Sequence, residues 1–164
     1  FCLSRGLGDV YKRQMVYILG DVSMRGKKEE LIAFVAQLKG RKVLIKGNHD
    51  DVSDYRYQQL FHEICDYKEM HDTIGKEHYS LVLSHYPIFS WRNMGRGRIL
   101  LYGHTHESEE DRFYQKCLSE MRASDCRHVY EAEELRAYNV GCMRDYMNYT
   151  PRTLEEILNS RSKV

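Results

Sequence analysis

No apolar run in this sequence exceeds a few residues, so it offers no membrane span and, near its N-terminus, none of the long apolar stretch of a secretory signal. No C-x-x-C pair occurs either. The five cysteines, Cys2, Cys65, Cys117, Cys126 and Cys142, are odd in number and widely spaced, which indicates neither a disulfide framework nor a zinc knuckle. A reducing, cytoplasmic home is expected. An excess of one charge is lacking as well: 25 Lys and Arg against 24 Asp and Glu leave a net charge of +1. Bulk electrostatics therefore does not mark a binder of nucleic acid or of anionic membrane, although a local basic patch leaves nucleic acid open as a partner. Internal repeats and low-complexity tracts are also missing. What is there, 164 residues with 42% apolar and 30% charged side chains, is the composition of one folded domain with its own core.

Residues 1–14 show neither helical nor strand periodicity, and their Arg5, Gly6 and Gly8 suit a loop. The stretch Asp9-Val10-Tyr11-Lys12-Arg13-Gln14 resembles the translation of a sequencing-library adapter. A non-native or disordered appendage is expected over 1–14, and a single domain over 15–164.

From Met15 a repeating grammar sets in. A short apolar run, of the kind that forms a strand buried on both faces, stops at glycine or serine followed by a polar residue. Val16–Leu19 ends in Gly20-Asp21, and Val43–Ile45 ends, after Lys46, in Gly47-Asn48-His49-Asp50. Leu81–Leu83 ends in Ser84-His85, and Ile99–Tyr102 in Gly103-His104-Thr105-His106. Donor side chains at the carboxyl ends of neighbouring strands converge on one crevice, where open α/β sheets place their sites. Between the first two strands, Leu31, Ile32, Val35 and Leu38 recur at helical spacing, which predicts an amphipathic helix over Lys27–Lys39. A second helix is expected from Ser53, with Tyr57, Leu60, Phe61 and Ile64 on its apolar face. Beyond His106 the pattern predicts a charged loop and helix over 107–127, a strand over 137–140 and a terminal helix over 154–158. The alternation of strand and helix argues α/β.

Asp21, Asn48, His85, His104 and His106 combine imidazoles with oxygen donors, a mix that suits Zn, Fe, Mn or Ni better than Ca. Each alone is weak evidence, because a strand-end aspartate is usually a turn residue and a buried histidine is usually hydrogen-bonded core. In an extended segment, however, alternate residues face one way, which would bring the imidazoles of His104 and His106 together.

The ordered series Gly20-Asp21, Gly47-Asn48-His49-Asp50, Ser84-His85 and Gly103-His104-Thr105-His106 is similar to the motifs of the calcineurin-like metallophosphoesterases, over about Met15 to Val140. The wording Ser84-His85-Tyr86-Pro87-Ile88 looks like the small bacterial and phage members. The resemblance implies a four-layer αββα sandwich, helices outside two mixed sheets, with a dinuclear centre at the sheet edges. It implies hydrolysis of a phosphate mono- or diester by a hydroxide held between two divalent ions, about 3.5–4 Å apart in such sites. By position, Asp21 would bridge both ions, Asn48, His85 and His104 would complete one shell, and His106 would bind the other. His49 would lie near the leaving-group oxygen, to stabilise or protonate it.

Two departures from the family pattern matter. The Asp-x-His that the family carries on a strand before Gly20-Asp21 has no counterpart here, so truncation of the first strand, at most one tightly bound ion and impaired hydrolysis are expected. The Ser/Thr phosphatase branch reads Gly-Asp-x-x-Asp-Arg-Gly where this chain has Gly20-Asp21-Val22-Ser23-Met24-Arg25-Gly26. Met24 cannot replace the carboxylate that orients the catalytic histidine, while Arg25 keeps the means to reach a substrate phosphate bidentately. The segment Trp91–Arg98, with three arginines and an indole, reads as a solvated loop or as a holder of a phosphodiester by charge and stacking. Cys117, Cys126 and His128 match no familiar zinc spacing. The rival to an enzyme is a non-catalytic phosphoesterase-like interaction domain, against which retention of every downstream donor argues.

Overall fold

The computed structural model describes residues 14–24, 26–124 and 135–161. Strands β1 (Met15–Ile18), β2 (Arg41–Ile45) and β3 (Glu63–Cys65) run parallel in that order, connected by helices α1 (Lys28–Gln37) and α2 (Tyr55–Gln58). A second sheet begins with an antiparallel hairpin of β4 (Tyr67–Ile74) and β5 (Glu77–Ser84). It continues in parallel with β6 (Ile99–Tyr102) and β7 (Ala137–Asn139), in the order β4-β5-β6-β7. Helix α3 (Glu109–Ala123) lies between β6 and β7 in the chain, and α4 (Leu154–Arg161) follows β7.

The two-residue period of the strands sorts their side chains into three clusters and fixes the layering. Val43 and Ile45 of β2 meet Leu81 and Leu83 of β5, Ile99 and Leu101 of β6, and Leu154 of α4. The intervening Leu44 faces the other way and packs with Val16, Ile18, Val35, Tyr57 and Phe61, under α1 and α2. On the second sheet, Val82, Leu100 and Tyr102 pack outward against Leu118 of α3. Helix, sheet, sheet, helix is the expected αββα order. Each fully buried aliphatic side chain contributes about 1.5–3 kcal/mol. Among the described residues β1 is an edge strand. No described helix is long and apolar enough to cross a membrane.

The helix expected from Ser53 is corrected to a single turn. Asp54, not Ser53, caps it by accepting the Arg56 N–H at 2.8 Å. Ile64, expected on its apolar face, pairs instead with Leu44. The open edge of β2 offers the chain a ladder: His62 N–H donates to Lys42 O at 2.7 Å and Lys46 N–H to Cys65 O at 2.8 Å. Phe61 and Ile64 thus reach the same apolar cluster from extended backbone. The hairpin arm Tyr67–Ile74 has no counterpart among the expected strands, because its side chains are mostly polar and exposed.

Candidate metal centre

The carboxyl ends of β1, β2, β5 and β6 lie at one edge of the sandwich, and short contacts lock their loops together. Gly20 and Asp21 leave β1 with φ of 78° and 52°. The Asp50 carboxylate, on the loop after β2, accepts from the main-chain N–H of Asp21 at 2.8 Å, Val22 at 3.0 Å and Gly47 at 2.9 Å. A Cβ on Gly47 would come within 2.3 Å of Asp21 Oδ1 and 2.8 Å of His85 Cε1, so only glycine admits this approach. In return, Asp21 Oδ1 accepts the His49 N–H at 2.9 Å.

His85, 2% exposed, bridges the two sheets. Its Nδ1 lies 2.7 Å from the Leu19 carbonyl, which only accepts, so Nδ1 carries a proton and Nε2 is the ring nitrogen turned to the other loops. Around Nε2 stand Asn48 Oδ1 at 3.1 Å, His104 Nδ1 at 3.2 Å and Asp21 Oδ2 at 3.4 Å. A proton on His104 Nδ1 would satisfy one of these contacts. The Asp21 carboxylate and the Asn48 amide oxygen also crowd this one ring nitrogen, an arrangement that a divalent cation would relieve. The mixed nitrogen and oxygen set fits a borderline transition metal. Ligand atoms of Asp21, His85 and His104 all lie within 4.8 Å of one another. Tyr86 stands at the rim, its ring centroid 4.6 Å from that of His104 and 4.8 Å from that of His85.

The segment after β6 is not extended, which corrects the reasoning for a shared face of His104 and His106. Both residues are left-handed, at φ of 62° and 49°. Each such residue costs roughly 1–2 kcal/mol and persists where its surroundings over-determine it. Buried Thr105 sits between them. His104 joins the cluster; exposed His106 is not within the mutually close set of Asp21, His85 and His104.

The surroundings of that turn form a buried polar network which the sequence did not reveal. Asp111, 3% exposed on the first turn of α3, accepts through Oδ1 from Tyr102 Oη at 2.6 Å, Asn139 Nδ2 at 2.9 Å and Thr105 Oγ1 at 3.0 Å. Asn139, fully buried, also donates to the His106 carbonyl at 2.7 Å. Burial first, and then the hydrogen bond to Asp111, push the Tyr102 hydroxyl pKa far up, so it stays a donor. The signal that could have found Asp111 is an acidic residue aligned with the apolar face of a helix that also carries Leu118.

Of the remaining candidates, His49 is exposed beside the cluster, with its main chain fixed on Asp21. Arg25, like residues 1–13, Cys126 and His128, lies outside the described residues. Trp91 is 5% exposed and its indole N–H donates to Arg98 O at 2.8 Å. Its ring is core, which removes the stacking half of the nucleic-acid reading. Arg98 itself pairs with Glu69.

The chain is similar to the Gene 66 protein of Mycobacterium phage D29, 33% identical over 119 residues that cover 59% of this chain and 60% of that protein. It is similar to the Gene 66 protein of Mycobacterium phage L5 at 28% identity over 121 residues, 59% of this chain and 58% of that one. The chain thus spans about three fifths of these relatives. Its fold is similar to the crystal structure of a protein of unknown function from Aquifex aeolicus, with a TM-score of 0.55 at 23% identity over 89% of this chain and 75% of that one. A model of the family described as calcineurin-like phosphoesterase matches residues 3–114, starting ahead of the boundary expected near Met15. That match takes in Asp21, Asn48, His85 and His104, and the chain belongs to the calcineurin-like phosphoesterase family.

Proposed function

We propose that the protein hydrolyses a phosphate mono- or diester with divalent metal held at the cluster of Asp21, Asn48, His85 and His104. The observation that carries this reading is the convergence of three ligand-type atoms, Asn48 Oδ1, His104 Nδ1 and Asp21 Oδ2, on His85 Nε2 at 3.1 to 3.4 Å. Asp21 is the natural bridging carboxylate, since Oδ1 is oriented by the His49 N–H while Oδ2 faces His85. His106 is the donor left for a second ion. Divalent ions bound here would lower the pKa of a coordinated water and neutralise charge on the phosphoryl oxygens.

The chain's own residues do the rest. The Leu19 carbonyl fixes the His85 tautomer and so its basicity. The Asp50 clamp holds Asp21 in register with Asn48. His49, exposed at the rim, would hand a proton to the departing oxygen. Arg25 is the candidate for a substrate phosphate oxygen.

Nitrophenyl phosphate mono- and diesters test the reading at millimolar manganese. Turnover should appear only with metal and should stop with a chelator. His104→Ala should lower it by at least about 100-fold, beyond the 10–100-fold typical of losing an outer-shell partner. His78→Ala, an exposed change on the hairpin, should leave it unchanged. Equal turnover by the His104 and wild-type proteins would contradict the assignment.

A further inference from the structure

Asp111 is a poor investment in stability by itself. A buried carboxylate loses its hydration, and apolar side chains of similar volume commonly stabilise a core better than buried charge does. Nor does its place on the first turn of α3 account for it. Glu109 and Glu110 already put negative charge there, and Ser108 caps the helix by accepting the Asp111 N–H at 3.3 Å. All three donors on Asp111 Oδ1 come from outside α3: Tyr102 on β6, Thr105 in the turn and Asn139 on β7.

Two routes run from this one oxygen to the left-handed turn. The first is direct, through the hydroxyl of Thr105, the residue between the two histidines. The second passes through Asn139, whose orientation is unambiguous. Its Nδ2 faces the Asp111 carboxylate and the His106 carbonyl, which only accept, and its Oδ1 accepts the Gly141 N–H at 3.0 Å. The side chain of the turn's middle residue and the carbonyl of its last are thus held from one buried point. Arg144, with Nη1 3.8 Å from Asp111 Oδ2, supplies nearby positive charge.

We propose that Asp111 is a positioning residue: through Thr105 and Asn139 it imposes the left-handed conformation of His104 and His106, and so sets the direction of the imidazoles that meet the metal. The proposal rests on the metal reading of the cluster, but its geometric half does not need the metal.

The test compares the full chain with Asp111→Asn, and with Leu118→Ala as a control that damages the same helix away from the turn. Three quantities are read: thermal stability, the amide and imidazole NMR shifts of His104, Thr105 and His106 without metal, and affinity for manganese alone. Asp111→Asn should move the shifts of the turn and weaken manganese binding 10–100-fold, the range for outer-shell partners. Leu118→Ala should lower the melting temperature while leaving those shifts and the affinity, within about twofold, as in the wild type. Should Asp111→Asn not fold, Thr105→Val removes the direct route and should move the same shifts. Wild-type shifts in the turn of a folded Asp111→Asn or Thr105→Val protein, or an equal loss of affinity in Leu118→Ala, would overturn the proposal. A wild-type chain that binds no manganese would sink the metal reading instead, and the metal-free shifts would still decide whether Asp111 positions the turn.

Discussion

His85 does two jobs with one ring: Nδ1 ties the second sheet to the last carbonyl beyond β1, and Nε2 is left to face Asp21, Asn48 and His104. The tie works because Gly20 and Gly47 have no side chains to hold the loops apart. Gly47→Ala should therefore act on the site first. Its Cβ would stand 2.3 Å from Asp21 Oδ1, so Asp21 must move, and overpacking of this kind costs about 1–3 kcal/mol. Manganese affinity should fall by roughly 10-fold or more, on the scale set by misplaced ligands. Gly75→Ala is the contrast: its φ of 61° is strained for alanine but the space around it is open. It should cost about 1 kcal/mol and leave metal binding intact. Calorimetric titration with urea unfolding on both variants checks the pair. At this scale the sequence was readable for residues whose own donor atoms end a strand, such as Asp21, His85 and His104. Asp50 and Asp111 act on backbone or side chains brought close only by folding, 28 and 29 positions away for Asp50 and 28 for the Asp111–Asn139 pair, and no local pattern shows that.

Among elements, the buried strands were legible because β2, β5 and β6 carry apolar runs that no solvent-facing strand needs. The hairpin arm β4 was not, since only Met70 and Ile74 pack against the core and Tyr67, Glu69, His71, Asp72 and Thr73 are exposed. The turn His104–His106 departs from the expected extended geometry for a different reason: both histidines are left-handed, and the buried Asp111 network holds them so. Arm β4 is also fastened by charge, as Glu69 pairs with Arg98 and with Arg92 at 3.3 Å. The Arg98 hydrogen bond, ahead of burial, which opposes it, holds the Glu69 carboxyl below the usual glutamate range. A folded-state pKa below the unfolded one adds stability that is present above the unfolded value, near 4.3, and is lost as pH falls through the folded value. Glu69→Gln should thus lower the melting temperature at pH 7, and the gap should close as the pH falls below about 4. A gap that is constant between pH 7 and pH 3 would mean that the pair contributes by shape and not by charge.

For the molecule as a whole, the two ion positions of the proposed centre would draw on unequal sets of donors, and that inequality can be measured. One ion would draw on Asp21 and Asn48 from the first sheet and His85 and His104 from the second, four donors that converge on one point. Among the described residues a second ion would share Asp21 and add His106, whose exposed ring stands outside the close set. Transition metals held by four protein ligands survive dialysis, whereas two ligands and water seldom suffice. After manganese loading and dialysis, elemental analysis should find about one ion per chain. Ester hydrolysis should then be low at one equivalent of metal and rise as free manganese fills the weaker position, since under the proposed reading two ions would be needed to supply both the activated water and charge neutralisation at the phosphoryl group. His106→Ala should leave the retained ion in place and remove only the rise, while His85→Gln should remove both. Two ions retained after dialysis, with full turnover at stoichiometric metal, would show that residues beyond Asp21 and His106 complete the second position, and the single-site account of this chain would be wrong.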